Sequence, residues 1–316
     1  MTEPVRLGLL RLTDSAPAVL AEAEGLFAAA GLAVSLQIEP SWANVADKLA
    51  WGLLDAAIML PPLVLAMAGG LRGPKVALRV PMGISQGGNS VVVAPKLAAV
   101  LAGETGLAPA MAVWVRAQPQ PPRFAVVHVF STHNLLLRHW LAGAGLDPDR
   151  DVEIVVVPPE RVVAALGSGQ VVGFCAGAPW GDVAEAAGAG RVLLGTSQIR
   201  PDHAEKCLAV SAAWAAARPD AVAALCGSLR QAQQRCDDAF QSSTLAALLV
   251  ARLGLPAAGV RAALAGGAGR EHVRFAPAAG ADSSDGRWFL DQMRRWGWPP
   301  EQADGDDLLA KIYSND

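Results

Sequence analysis

The chain has 316 residues, 52% of them apolar and 17% charged, with a net charge of −3. That length exceeds what one hydrophobic core usually supports, so two lobes are expected, and the apolar content argues against disorder. Mild acidity without a basic run excludes direct nucleic-acid binding, which needs clustered Lys and Arg.

In chain order, residues 6–12 read as a first strand. Asp14-Ser15 caps a helix through Val19, Leu20 and Phe27 that Gly31 closes. Residues 32–38 alternate as a second strand, Ser41 caps a helix over 42–49, and 54–59 give a third strand. Pro61-Pro62 opens another helix. Such β-α repeats imply a parallel sheet with helices on both faces. Gly83 to Ser90 has loop chemistry and leads into the apolar strand Val91-Val92-Val93. Beyond the Pro-rich linker 118–122, strands follow at 124–129 and 152–157. Between them Ser131-Thr132-His133-Asn134 caps a helix over 135–144. A helix is read at 161–166 and an outgoing strand at 171–175. Residues 191–195 are read as returning the chain to the first lobe, with a mostly helical remainder.

The fold expected is α/β and of the type II periplasmic-binding-protein-like kind, two Rossmann-like lobes with a ligand cleft between them. Its topology rests partly on the resemblance given below. Lobe I is assigned to 1–82 plus 194–316 and lobe II to 83–193, with hinges at strand crossings near 80–85 and 190–195. The first residues run straight into Leu7-Gly8-Leu9-Leu10 with no basic start or long apolar core. The expectation is therefore a cytoplasmic protein, and no apolar run reaches membrane-spanning length. Cys175, Cys207, Cys226 and Cys236 show neither C-x-x-C nor zinc spacing and read as idle thiols.

In open α/β sheets ligands sit beyond the carboxyl ends of strands, against helix N-termini that attract anions. Thr13-Asp14-Ser15, Ser41-Trp42-Ala43-Asn44, Gly88-Asn89-Ser90 and Ser131-Thr132-His133-Asn134 have that placement. Their indole, amide, hydroxyl and imidazole groups donate hydrogen bonds, which suits an ion that only accepts them. Each has a plainer reading. Trp42 is equally a core aromatic, Asn89 a turn residue, His133 and Asp14 helix caps, and Arg200 a solvated surface cation.

In order, these segments resemble the nitrate- and bicarbonate-binding proteins of cyanobacterial-type ABC transporters, the NrtA/CmpA-like solute-binding family. The resemblance is carried by Leu12-Thr13-Asp14-Ser15-Ala16-Pro17, Ser41-Trp42-Ala43, Thr132-His133-Asn134 with Arg138-His139-Trp140-Leu141, and Val156-Val157-Pro158-Pro159. Gly173-Phe174-Cys175 through Pro179-Trp180, and Trp288-Phe289-Leu290 with Trp296-Gly297-Trp298, extend it over nearly the whole chain. It implies ligand contacts from Trp42, Asn89 and His133, the second standing where the family tends to carry Gln. The family's lysine finds no match in 196–203, where Arg200 is the nearest cation. No Glu occupies that stretch either, which favours a fully deprotonated anion over bicarbonate.

The resemblance and the expected location together imply a cytoplasmic nitrate/nitrite sensor of the NasS-like type. It would bind nitrate or nitrite and hold an ANTAR-type RNA-binding antiterminator until the anion arrives, regulating nitrate assimilation. The alternative is the nitrate- or bicarbonate-binding subunit of an ABC transporter. A lesser one is an enzyme like the thiamin-pyrimidine synthases, whose Cys-rich iron motif has no counterpart here. No catalytic residue, cofactor, metal or membrane partner is expected.

Overall fold

The computed structural model describes residues 3–102, 106–238, 243–265, 271–275, 283–298 and 305–313. From the start, β1 (Val5–Leu9) leads through a 3-10 turn (Thr13–Ser15) into α1 (Ala16–Ala23) and α2 (Leu26–Ala29). Then come β2 (Val34–Ile38), α3 (Trp42–Ala50), β3 (Ala56–Met59), α4 (Pro61–Ala68) and the long β4 (Leu78–Gly87). The single helix expected before Gly31 is two, because Gly25 takes the left-handed conformation with φ 70°. The expected cap at Asp14-Ser15 is not made either. The Ser15 hydroxyl instead donates to the Leu10 carbonyl oxygen at 2.8 Å. At α3 the expected cap is present, with the Asn44 N–H donating to Ser41 Oγ at 3.2 Å.

The loop expected over 83–90 is largely strand. β4 runs to Gly87 and β5 (Asn89–Val93) starts two residues later. Gly87 and Gly88, at φ 63° and 81°, supply the backbone that only glycine adopts without strain. After β5 come α5 (Pro95–Leu101), α6 (Leu107–Arg116), β6 (Arg123–Val126), α7 (Thr132–Gly143) and β7 (Glu153–Val156). Next are α8 (Val162–Gly167), β8 (Gly173–Gly177), α9 (Trp180–Ala186) and β9 (Arg191–Gly195). A 3-10 turn (Thr196–Gln198) precedes β10 (Ala204–Ser211). Beyond it lie α10 (Ala212–Ala217), α11 (Pro219–Asp238), α12 (Ser243–Leu253), α13 (Ala257–Ala265), β11 (Val273–Arg274), α14 (Ser283–Arg295) and α15 (Gly305–Tyr313).

Two sheets result, ordered β11-β4-β10-β3-β1-β2 and β7-β6-β8-β5-β9. β1, β2 and β3 are parallel, as β-α repeats require, but β10 is antiparallel to both β3 and β4. In the second sheet β5 is antiparallel to β8 and β9. β5 and β10 are each reached without a helical crossover, so nothing constrains them to run parallel.

The chain divides into one unit of Met1–Gln86, His203–Leu255 and Val273–Asp316 and another of Gly87–Asp202 and Pro256–His272. This differs from the division read off the sequence at two places. Residues 191–195, expected to return the chain to the first lobe, pair with β5, and the return is made by β10. Residues 256–272 join the second unit, where α13 lies so close on α9 that a Cβ on Gly259 would sit 2.3 Å from Val183 Cγ2.

The first unit's core is built by α4, buried from Pro61 to Met67, against the first sheet. α11 adds a stripe of Ala221, Leu225, Leu229, Ala232 and Cys236 at helical spacing. In the second unit Val91, Val93, Phe124, Val126, Leu137, Leu141 and Cys175 form one cluster. No described helix is long and apolar enough to cross a membrane.

Candidate functional site

In the first unit the carboxyl ends of β1, β3 and β4 share one sheet edge, where antiparallel β10 begins. The 3-10 turn after β1 puts Thr13 and Asp14 there, and the Ser41 cap puts Trp42 at the first turn of α3. β4 contributes Ser85 and β10 contributes Glu205 and Lys206, where irregular pairing re-aims successive side chains. All are buried, Trp42, Asp14 and Lys206 at 1% exposure and Glu205 at 0%.

Lys206 organises this cluster. Its Nζ is 2.6 Å from Glu205 Oε1 and 3.3 Å from Asp14 Oδ2, and lies 5.6 Å from the centroid of the Trp42 ring. Asp14 Oδ1 accepts a very short bond from the Ser85 hydroxyl. Burial alone would push the Lys206 ammonium toward neutrality, but the two carboxylates outweigh it and hold the group above its ordinary value. An ammonium has three N–H donors, and the carboxylates occupy two directions. The Trp42 indole N–H and the Thr13 hydroxyl, both buried, have no hydrogen-bond partner among the described residues. Such groups are costly to bury unless something else completes them.

In the second unit Asn89 opens β5 opposite Gly177, at the edge where β6 and β8 end. The Thr196 hydroxyl, just past β9, donates to the Asn89 carbonyl oxygen at 3.2 Å. Ser131 caps α7, accepting from the Asn134 N–H at 3.1 Å and donating to the His128 carbonyl oxygen at 2.7 Å. That cap fixes His133 in the first turn of α7, where it is fully buried, as is Asn89. Asn134 is tied down on both sides, donating to Val129 O at 2.8 Å and accepting from Arg138 Nε at 3.2 Å. Helix N–H groups, an imidazole, an amide and the buried Thr132 hydroxyl thus share one sheet edge.

A carboxylate closes this edge from the segment after α13. Glu271 accepts from Gly88 N–H at 2.9 Å, Ser197 N–H at 3.3 Å and Ser197 Oγ at 2.7 Å. Arg200 is half-buried beyond the 3-10 turn, its own N–H donating to Thr196 O at 3.0 Å.

Sequence reasoning named Trp42, Asn89, His133 and Arg200 and missed Lys206 and Glu205. The signal was present: an adjacent acid and base inside an otherwise apolar strand, Ala204-Glu205-Lys206-Cys207-Leu208-Ala209-Val210. Charged residues are almost never fully buried unless paired. Lys206 lies three residues beyond the stretch 196–203 in which the family's lysine was expected. Among the described residues no group of three His, Cys, Asp or Glu is placed to hold a metal.

Residues 1–250 match the model of the NMT1-like family. The chain belongs to that family. The nitrate import ATP-binding protein NrtC of Synechococcus elongatus is 33% identical over 99% of this chain and 49% of its own length. The nitrate/nitrite binding protein NrtA of a Nostoc species is 28% identical over 100% of this chain and 76% of its own. The crystal structure of the periplasmic nitrate-binding protein NrtA from Synechocystis superposes with a TM-score of 0.89 at 27% identity, covering 98% of this chain and 85% of that one. The chain therefore spans about half the length of NrtC and most of NrtA. The NMT1-like chain has the α/β fold of the periplasmic binding proteins, with one sheet in each unit.

Proposed function

We propose that this NMT1-like chain binds nitrate or nitrite, with Trp42, Lys206, Asn89 and His133 as the candidate donors. The observation that carries the reading is Lys206, a fully buried ammonium kept charged by Asp14 and Glu205 beside an indole N–H that lacks a partner. Donors and a fixed positive charge fit an ion with acceptor oxygens, and the buried Glu205 beside Lys206, two residues past the stretch 196–203, supplies the carboxylate whose expected absence argued against bicarbonate. The NrtA relatives named for nitrate and nitrite support the choice of ion. Lys206 takes the role that the sequence assigned to Arg200, which remains the alternative cation.

Nitrate has four heavy atoms, so a ceiling of about −1.5 kcal/mol per atom gives ~−6 kcal/mol, a Kd of tens of micromolar. Calorimetric titration with nitrate, nitrite, bicarbonate and sulfate tests the reading. Heat with the nitrogen oxyanions, lost in Lys206→Met and Trp42→Phe, is expected. No heat and no thermal shift with either ion would remove the proposal.

We further infer a cytoplasmic regulatory role, in which the anion-bound form releases an ANTAR-type RNA-binding antiterminator. It rests on the resemblance to the NasS-like type read from the sequence. Service to an ABC transporter is the second reading, favoured by the match to NrtC, a protein named for nitrate import. Co-purification with an ANTAR protein, reversed by nitrate, separates the two.

A further inference from the structure

The second unit holds a buried donor for which the candidate site has so far given no role. Trp180 is the first residue of α9 and only 6% exposed, yet its indole N–H has no hydrogen-bond partner among the described residues. Buried indoles usually find an acceptor, because an N–H taken out of water and left unmet is costly. Core packing explains why the ring is buried, but not why its donor lacks an acceptor.

The place of Trp180 in the fold points to what meets it. β8 ends at Gly177, directly opposite Asn89, and Trp180 follows three residues later. The Ala178 N–H donates to the Gly88 carbonyl oxygen at 2.9 Å, and a Cβ on Gly181 would lie 3.2 Å from Ser90 Cβ. The chain on both sides of Trp180 is thereby held against the start of β5. The two helices that begin at this edge lie on different faces of the sheet. Leu137 and Leu141 of α7 pack with Val91 and Val93, whereas a Cβ on Gly190 would meet Val92 at 2.8 Å and Ala184 of α9 at 3.2 Å. His133 and Trp180, each in the first turn of its helix, therefore flank one edge from opposite faces. Ligands of open α/β sheets sit beyond such strand ends, within reach of both. Trp42 repeats the arrangement in the first unit, as the first residue of α3, 1% exposed, with an unpartnered indole N–H.

We propose that the Trp180 indole N–H is a further hydrogen-bond donor to the bound oxyanion, supplied from the face of the second sheet opposite α7. The proposal rests on the reading that this chain binds nitrate or nitrite. An indole N–H donates and cannot accept, so it selects an acceptor oxygen over a ligand's own hydroxyl.

The full chain, isotope-labelled at its tryptophan indole nitrogens, is titrated with sodium nitrate and followed by NMR beside calorimetry. Trp180→Phe keeps an aromatic ring, removes the donor and identifies the Trp180 signal by its disappearance. That signal is expected to move with the same midpoint as the heat, and the Kd of Trp180→Phe to be about tenfold weaker. A Trp180 signal that stays still while the wild-type protein takes up nitrate would overturn the proposal, since a merely structural indole behaves so. A Trp180→Phe protein with the wild-type Kd would do the same, and either result leaves nitrate binding standing. A wild-type protein that shows neither heat nor any moved indole signal removes the binding reading itself, and this proposal with it. Should Trp180→Phe fail to fold, the wild-type signal, assigned through neighbouring backbone resonances, decides alone.

Discussion

Lys206 shows how one residue ties stability to the candidate site. Removing one member of a buried ion pair leaves the others uncompensated, so Lys206→Met should destabilise the fold by about 3–5 kcal/mol. The double variant Asp14→Asn/Lys206→Met should recover part of that loss, measurable by urea unfolding. Asp14 and Glu205 raise the Lys206 pKa, so its contribution is fully present below the ordinary value of 10.5 and is lost as pH rises through the folded value. The stability difference between wild type and Lys206→Met should therefore shrink only above about pH 10.5. A difference that instead closed between pH 6 and 8 would contradict the pairing. The thiols follow the same logic of burial. Desolvation pushes the Cys226 thiol up to about 11 and drives Cys207 and Cys236 up as well. With all four cysteines buried, a thiol reagent at pH 8 should react slowly with the native protein and promptly with four thiols once it is unfolded.

Among elements, the segment following α13 does more than its short length suggests. Glu271 fastens the start of β5 and the turn after β9 through three hydrogen bonds, in space left by glycines. A Cβ on Gly195 would lie 2.2 Å from Glu271 Oε2 and 2.5 Å from its Cβ. Glu271→Ala should cost about 1–3 kcal/mol, and Gly195→Ala should be damaging while Glu271 is present. In the double variant the penalties should add only in part, because Glu271→Ala removes the carboxylate 2.2 Å from the new methyl but keeps the Cβ 2.5 Å from it. Strict additivity in a chemical-denaturation cycle would refute the contact. The sequence could not show this, since a lone Glu beside Gly-rich chain has no periodic signal. Elements with local signals were legible. Ser41 and Ser131 sit at caps, Pro61 opens α4, and the alternation in 34–38 is strand. β4, β9 and β10 were misread because their places are set by pairing between residues far apart in sequence, such as Ser90 with Gly195 and Leu78 with Ser211, which no local pattern encodes.

For the whole molecule, the α/β class and the two-unit organisation followed from length and β-α repetition, while the placement of 256–272 depended on a helix-on-helix contact visible only in three dimensions. The sheet-edge positions of Trp42, Asn89 and His133 were legible because each stands at the start of a helix or strand. Lys206 was not, because strand interiors are searched for apolar residues. The proposed site makes a claim about the protein as a single thermodynamic system. If the four proposed donors serve one anion, nitrate at a hundred times its Kd should stabilise the fold by about 2.7 kcal/mol. Removing any one of them should then abolish much of that gain. Trp42→Phe and His133→Ala should each flatten the nitrate-dependent rise in melting temperature, and combining them should add little. An anion held by the first unit alone would leave the His133→Ala protein with nearly the full wild-type shift. Differential scanning calorimetry across a nitrate series would make that outcome plain, and it would confine binding to the Trp42–Lys206 pair.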